Sequence, residues 1–192
     1  MKHWRDWERM QEELPRMQVR YFDTMLRFSH DYLELPPYYE RKACLTSAFL
    51  EEIDGKAYDV TLRFIGVRSL KLDMHFEYLG DIEISPEEIE DIHFYVHDYE
   101  HGGISFYCEE IAYIGAKENV EENLQLALSR WKQLVQLVQM ERPDEDALGK
   151  AFRDLAVFAN RPMVADLLRK SVTHENAMIR RLGYQYMAKN RK

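Results

Sequence analysis

The period of apolar and polar positions changes twice along this chain of 192 residues. Over residues 3–34 an apolar or aromatic residue returns every three or four positions, at Trp4, Trp7, Met10, Leu14, Met17, Tyr21, Met25, Phe28 and Tyr32. That spacing makes one stripe along a helix. Pro15 removes a backbone donor and clashes with the preceding turn. The spacing therefore predicts two helices, or one kinked near Leu14, ended by Pro36 and Pro37 and packed on the protein's own sheet.

Between about residues 43 and 115 the period becomes two, the mark of strands with one buried face. Tyr58, Val60, Leu62 and Phe64 make one inward row, and in KLDMHFEY the row is Leu72, Met74, Phe76 and Tyr78. Ile92, Phe94 and Val96 make another, and Ile104, Phe106 and Cys108 a further one. Asp54-Gly55 and Gly102-Gly103 are turn formers between such rows. SPEEIED at 85–91 reads as the start of a short helix, with Ser85 as cap, Pro86 in the first turn and glutamates at the positive end of the dipole, or equally as a plain loop.

From Asn119 the helical period returns. Leu124, Leu128, Trp131, Leu134, Val135 and Val138 form a stripe that stops before Pro143, and Leu148, Phe152, Leu155 and Phe158 form a second. A third helix is expected around 164–171 and a fourth from about 176 to 189. The expected class is α+β: an N-terminal helical segment at 1–36, an antiparallel sheet of five to seven strands at 37–117, and a helical subdomain at 118–192, packed as one unit.

Charge adds polarity to this picture. The net charge is −8, yet Lys71–Glu122 holds fifteen acidic and two basic residues, whereas Arg161–Lys192 holds eight basic and two acidic. An acidic chain with no defined reading motif argues against a nucleic-acid coat or an anionic-membrane binder. Two distant cysteines, Cys44 and Cys108, give neither a disulfide framework nor a paired-cysteine zinc motif. The start, MKHWRDWERMQEELP, lacks the apolar core of a signal peptide, and no apolar run is long enough to span a bilayer. A cytoplasmic protein with no cofactor is expected.

Candidate chemistry gathers at HDYEHGGISFYCEEI, residues 97–111, where histidines, glycines, a cysteine and four acidic residues share fifteen positions. The alternation and the glycines explain them as the turn and second strand of a hairpin. His93, His97 and His101 are spaced for a helical metal site, but Phe94 and Val96 alternate as core positions, which favours a strand. On strands, Asp73, His75 and Glu77 share one polar face, His93, Tyr95 and His97 another, and Tyr107 and Glu109 a third. If these faces converge, His75, His93 and His97 could hold a divalent metal with Asp73 or Glu77 as ligand or base of a hydrolase. No phosphate-binding glycine loop, dinucleotide fingerprint, GxSxG or HExxH occurs.

YDVTLRFIGVRSLKL at 58–72 and GGISFYCEEIAYIG at 102–115 resemble the compact β-rich domains of uncharacterised bacterial families that include immunity proteins of polymorphic toxin systems. HEN at 174–176 followed by AMIRRLGYQYM at 177–187 resembles one helical unit of the HEAT type. The first resemblance implies stoichiometric binding of a toxin rather than catalysis. An acidic surface would complement a basic protein partner and speed its association. The residues expected to make that contact are Asp73, Glu77, Asp81, Glu83, Asp98, Glu100 and Glu109. The alternatives are the metal-assisted hydrolase and a helical adaptor acting through the C-terminal subdomain.

Overall fold

The computed structural model describes residues 2–37, 40–73, 79–139 and 144–189. The chain divides into two compact units, residues 1–119 and 120–192. The first unit is one mixed sheet with a short helix, and the second is helical, so the class is α+β.

The strands are β1 (Trp4–Arg5), β2 (Tyr21–Leu35), β3 (Glu40–Ile53), β4 (Lys56–Ile65), β5 (Arg68–Leu72), β6 (Leu79–Ile89), β7 (Ile92–Asp98), β8 (Ile104–Cys108) and β9 (Glu110–Glu118); α1 (Trp7–Glu13) follows β1. They hydrogen-bond in the order β1-β9-β4-β3-β2-β6-β7-β8-β5. β1 runs parallel to β9, and the other pairs are antiparallel. Asp54 and Gly55 turn β3 into β4 with φ of 53° and 77°, the two left-handed residues that a tight hairpin needs.

The sheet rolls because two of its strands are bent. β4 continues through Gly66-Val67 into β5, and β8 continues through Glu109 into β9. Ile65 pairs with Glu110 on one side of the bend, and Arg68 with Tyr107 on the other. The neighbours β2, β3, β4, β9/β8, β7 and β6 therefore form a closed ring. Inside it, aromatic side chains touch across strands that share no ladder: Phe64 of β4 packs edge-on against Phe106 of β8 at 5.0 Å. Phe22, Phe49, Leu62, Ile82, Val96 and Ile104 complete a fully buried centre, onto which α1 and the residue that follows it lay Met10 and Leu14.

Three expectations are corrected. The helical segment over residues 1–36 is not formed: only Trp7–Glu13 is helical, and Tyr21–Leu35 is a strand. The register explains the misleading spacing. Met25 faces Phe49 and Phe28 faces Ser47, but a bulge between Met25 and Arg27 inserts one residue, so positions three apart share a face. A bulged strand thus mimics a helical repeat. Ser85–Ile89 of SPEEIED is strand, since Ser85, Pro86 and Ile89 pair with Tyr95, Phe94 and Ile92, and only Glu90-Asp91 forms a turn. Pro86 sits where the register shifts, a strand position that tolerates proline. Third, the sheet has nine strands rather than five to seven, because the bends divide two long strands and β1 adds a short one. Of the row expected in KLDMHFEY, Leu72 is half-buried, while Met74, Phe76 and Tyr78 lie outside the described residues.

The second unit holds α2 (Val120–Gln139), α3 (Glu145–Ala156), α4 (Pro162–Lys170) and α5 (Ala177–Lys189). Asp144 caps α3 by accepting from the N–H groups of Asp146 and Ala147, and Asn176 accepts from those of Met178 and Ile179 at the start of α5. Such caps satisfy donors that the helix cannot. Leu134, Leu148, Phe152, Leu155, Val164 and Leu168 form the unit's core. No helix among the described residues is long and apolar enough to cross a membrane.

Candidate functional site

The outer face of β6, β7 and β8 gathers several of the side chains that the alternation marks. Glu83, His97 and Ser105 lie in one cross-strand row, and Ser85, Tyr95 and Tyr107 in the next. The rings stack on one another: His97 on Tyr95 at 4.6 Å and Tyr95 on Tyr107 at 4.7 Å between centroids. Glu83 accepts from Nε and Nη2 of Arg20 at 3.2 and 2.9 Å and from Ser85 Oγ at 3.1 Å. The Arg20 guanidinium holds the Glu83 carboxyl below its usual range.

Two of the expected contact carboxylates are used inside the fold. Asp98 is buried, and its carboxylate accepts from the backbone N–H groups of Glu100, His101 and Gly103 at 3.1, 2.8 and 3.2 Å. It builds the β7–β8 turn, which Gly102 completes at φ +67°. Glu109 is buried at the bend between β8 and β9, where it pairs with Lys42 and, at 3.0 Å, with Arg68. Its bond raises the Lys42 pKa. Arg68 reaches on to Asp91. Gly66 leaves the room for this arrangement: a Cβ there would lie 2.4–2.7 Å from the Glu109 side chain, and its φ is +70°.

The remaining expected residues are dispersed. Asp81 is half-buried with a left-handed backbone, Glu100 is exposed, and Asp73 is exposed with its N–H on the Gly103 carbonyl. His75 and Glu77 lie outside the described residues. His93 and His97 are four residues apart on β7, roughly 13 Å along a strand. Their rings turn to different neighbours: His97 to Tyr95, and His93 to His3, on which it stacks at 3.4 Å. They do not converge on one ion. Among the described residues, no group of three or more His, Cys, Asp or Glu side chains is arranged to hold a metal. Cys108 is fully buried, and burial pushes its thiol up, away from nucleophilic use.

A feature that the spacing does not reveal lies at the other end of β6 and β7. There the two-residue β1 joins the edge of β9, pairing Trp4 with Ile111 and Arg5 with Ala112, and Arg5 pairs with Glu110. This places Trp4 edge-on to Phe94 of β7 at 6.2 Å. Between β1 and the β6–β7 hairpin opens a cleft of about 730 Å³, within the range of ligand sites. Trp4, Val19, Ile84, Pro86 and Phe94 supply its apolar lining. Glu87, Glu88 and Glu90 stand on the hairpin side, and Lys2, Arg20 and the stacked pair His3–His93 complete the rim.

The electrostatics of the cleft are unbalanced. None of Glu87, Glu88 and Glu90 forms an ion pair with a described residue, whereas Arg20 is already held by Glu83. Trp4 is 8% exposed, and its indole Nε1 is buried with no acceptor. The sequence marks this place through the acidic run in SPEEIED and through His93; the pairing of β1 with β9 joins residues more than a hundred positions apart and leaves no local mark. No family model, curated protein or solved structure matches the chain.

Proposed function

We propose that this chain is a protein-binding module that engages a basic partner through the β6–β7 hairpin and the cleft beside it. The observation that carries the reading is a ligand-sized cleft with an apolar lining, bordered by three carboxylates that form no ion pair among the described residues. Carboxylates used for stability are paired, as Glu109 is; unpaired ones beside an apolar depression suit a partner that brings both charge and apolar contact. Inhibition of a basic toxin enzyme, implied by the likeness to immunity proteins, is one form that this binding takes. The contact surface moves accordingly from the full set expected along the sheet to Glu87, Glu88 and Glu90, with Asp81 and Glu100 as outlying charges.

Affinity capture from native lysate, quantified by mass spectrometry, tests this with the wild type beside Glu87→Lys/Glu88→Lys/Glu90→Lys. A basic protein held at near-equal stoichiometry by the wild type and lost by the reversed variant is the expected result. Equal recovery by both removes the electrostatic reading.

A further inference from the structure

We infer that a second copy of this chain pairs with the free edge of β2, strand against strand, about a twofold axis at Tyr32. The two edges of β2 are used unequally. β3 runs along one edge as far as Leu35, but β6 lies along the other only from Tyr21 to Met25. Among the described residues, no strand lines that second edge from Leu26 to Leu35, and no backbone hydrogen bond joins it to another element. β3 keeps a neighbour on its far side as far as Cys44, opposite Ile65, and the Ala43 carbonyl accepts from the Val67 N–H. The end of the β2–β3 hairpin is therefore a two-stranded arm. Such an arm is marginal in water until a third strand joins it, and its open N–H and C=O groups are a template for one.

The side chains on the arm point to its own copy as that strand. Past the bulge, Phe28, His30, Tyr32 and Glu34 share one face, opposite Ser47, Leu45, Ala43 and Arg41. Tyr32 is 54% exposed, with His30 edge-on at 5.2 Å and Arg41 over its ring at 5.0 Å. Between the bulge and Pro36 there is no lysine or proline, the usual guards of an open edge. Reversed about Tyr32, this segment complements itself. Tyr32 meets Tyr32 of the second copy, and His30 meets Glu34 on each side of the axis. Glu34 then lies between Arg41 of its own chain, at 3.5 Å, and the imidazole of the other. Aromatic and oppositely charged cross-strand pairs stabilise antiparallel strands, and like charges opposite one another destabilise them. A parallel pairing in register would set Asp31 and Glu34 each against itself.

The register about Tyr32 also clears its surroundings. β2 ends before Pro36 and Pro37, so Leu35 of the second copy lies beside Ser29, short of Met25, where the ladder with β6 begins. The product is a four-stranded β3-β2-β2-β3 sheet through both copies. It leaves the β6–β7 hairpin untouched and goes beyond the binding-module reading.

The test is sedimentation velocity of the full chain across a wide range of concentration, with charges placed on the axis. A residue on a twofold axis faces its own copy. Tyr32→Lys alone and Tyr32→Glu alone thus bring like charges together, whereas their equimolar mixture brings opposite charges together. The wild type is expected to dimerise as concentration rises. Each variant alone should dimerise at least about tenfold more weakly, and the mixture should regain association as a heterodimer. Off the axis, Glu34→Lys should weaken the dimer and be restored by mixing with His30→Glu. These three positions are exposed, so thermal unfolding of the dilute variants should match that of the dilute wild type. Amides within residues 29–35 should exchange more slowly in the concentrated wild type than in Tyr32→Lys.

A wild type that stays monomeric at every concentration overturns the inference. So does a dimer that both Tyr32 variants form as tightly as the wild type, which would place the contact on another surface. A mixture that associates no better than either variant alone removes the twofold at Tyr32. Capture of a different protein along residues 29–35 by a chain that remains monomeric would give the edge to another strand and overturn the inference as well.

Discussion

Two groups of glutamates in the first unit carry the same chemistry and do opposite things. At the bend between β8 and β9, Glu109 lies buried against Gly66, with Lys42 and Arg68 on its carboxylate. At the end of the β6–β7 hairpin, Glu87 is half-buried and Glu88 and Glu90 are exposed, and none of the three forms an ion pair with a described residue. A buried charge persists only when it is paired, because desolvation costs several kcal/mol per ion. The bend therefore spends its charge on holding the ring closed. On the proposed function, the hairpin keeps its charge for a partner. Density of acidic residues along a sequence does not separate these roles; the position of the nearest cation in space does.

The comparison can be broken most forcefully at the bend. Gly66→Ala places a methyl group against the Glu109 side chain and forces a left-handed alanine, and Glu109→Gln takes the buried charge away from Lys42 and leaves Arg68 with Asp91 alone. Each is expected to cost about 3–5 kcal/mol in equilibrium urea unfolding, the range for breaking a buried ion pair or forcing a core contact. A loss below about 1 kcal/mol for both would mean that the bend does not depend on this carboxylate.

The β7–β8 turn provides a smaller effect of the same kind. Asp98→Ala removes the acceptor for three backbone N–H groups and should cost about 1–3 kcal/mol, with faster amide exchange at Glu100, His101 and Gly103. Unchanged exchange there would mean that the turn does not depend on the Asp98 carboxylate.

Glu51 sharpens the contrast from the other side, as a sheltered carboxyl without a cation. Burial raises its pKa, the neighbouring Asp23 charge adding to the effect, to about 8 from a usual 4.5. Its Oε1 has no hydrogen-bond partner. Between those two pH values the folded state binds more protons than the unfolded chain, so stability falls as pH rises through that window. The penalty is absent below pH 4.5 and complete above pH 8. Glu51→Gln should accordingly stabilise the protein by roughly 1–2 kcal/mol at pH 8, and by almost nothing at pH 4. A gain independent of pH would assign the effect to packing instead.

The smallest expected change is in the cleft itself. Glu87→Gln/Glu88→Gln/Glu90→Gln should alter unfolding stability by less than about 0.5 kcal/mol per substitution. A loss comparable with that of Glu109→Gln would show that these carboxylates hold the fold.

How much of this was legible beforehand depended on whether the cause was local. The inward rows Val60-Leu62-Phe64 and Ile104-Phe106-Cys108 alternate as buried strands do, and all six side chains are fully buried. The helices from Val120 onward follow their own stripes and caps. The spacing in Tyr21–Leu35 imitates a helix because one bulge converts a spacing of two into three. SPEEIED was misread because its serine and proline suit a helix start as well as a bulged strand. At the site, alternation marks His93, Tyr95 and His97 as one polar row and Tyr107 with Glu109 as another, and the structure sets Tyr95, His97 and Tyr107 beside Glu83; alternation does not show that Asp98 and Glu109 serve the backbone and the bend. The role of Glu109 depends on Gly66, Lys42 and Arg68, which come from distant segments, whereas that of Asp98 depends on how its own turn folds back onto it. The cleft needed β1, two residues whose partner strand lies at the far end of the unit's sequence.

The most direct measurement is isothermal titration of the captured basic partner against the wild type and against Glu87→Gln/Glu88→Gln/Glu90→Gln at low and high salt. The account predicts that wild-type affinity falls steeply with salt, and that the variant binds about tenfold more weakly at low salt with a flatter dependence. Identical affinities and identical salt slopes for the two proteins would contradict it.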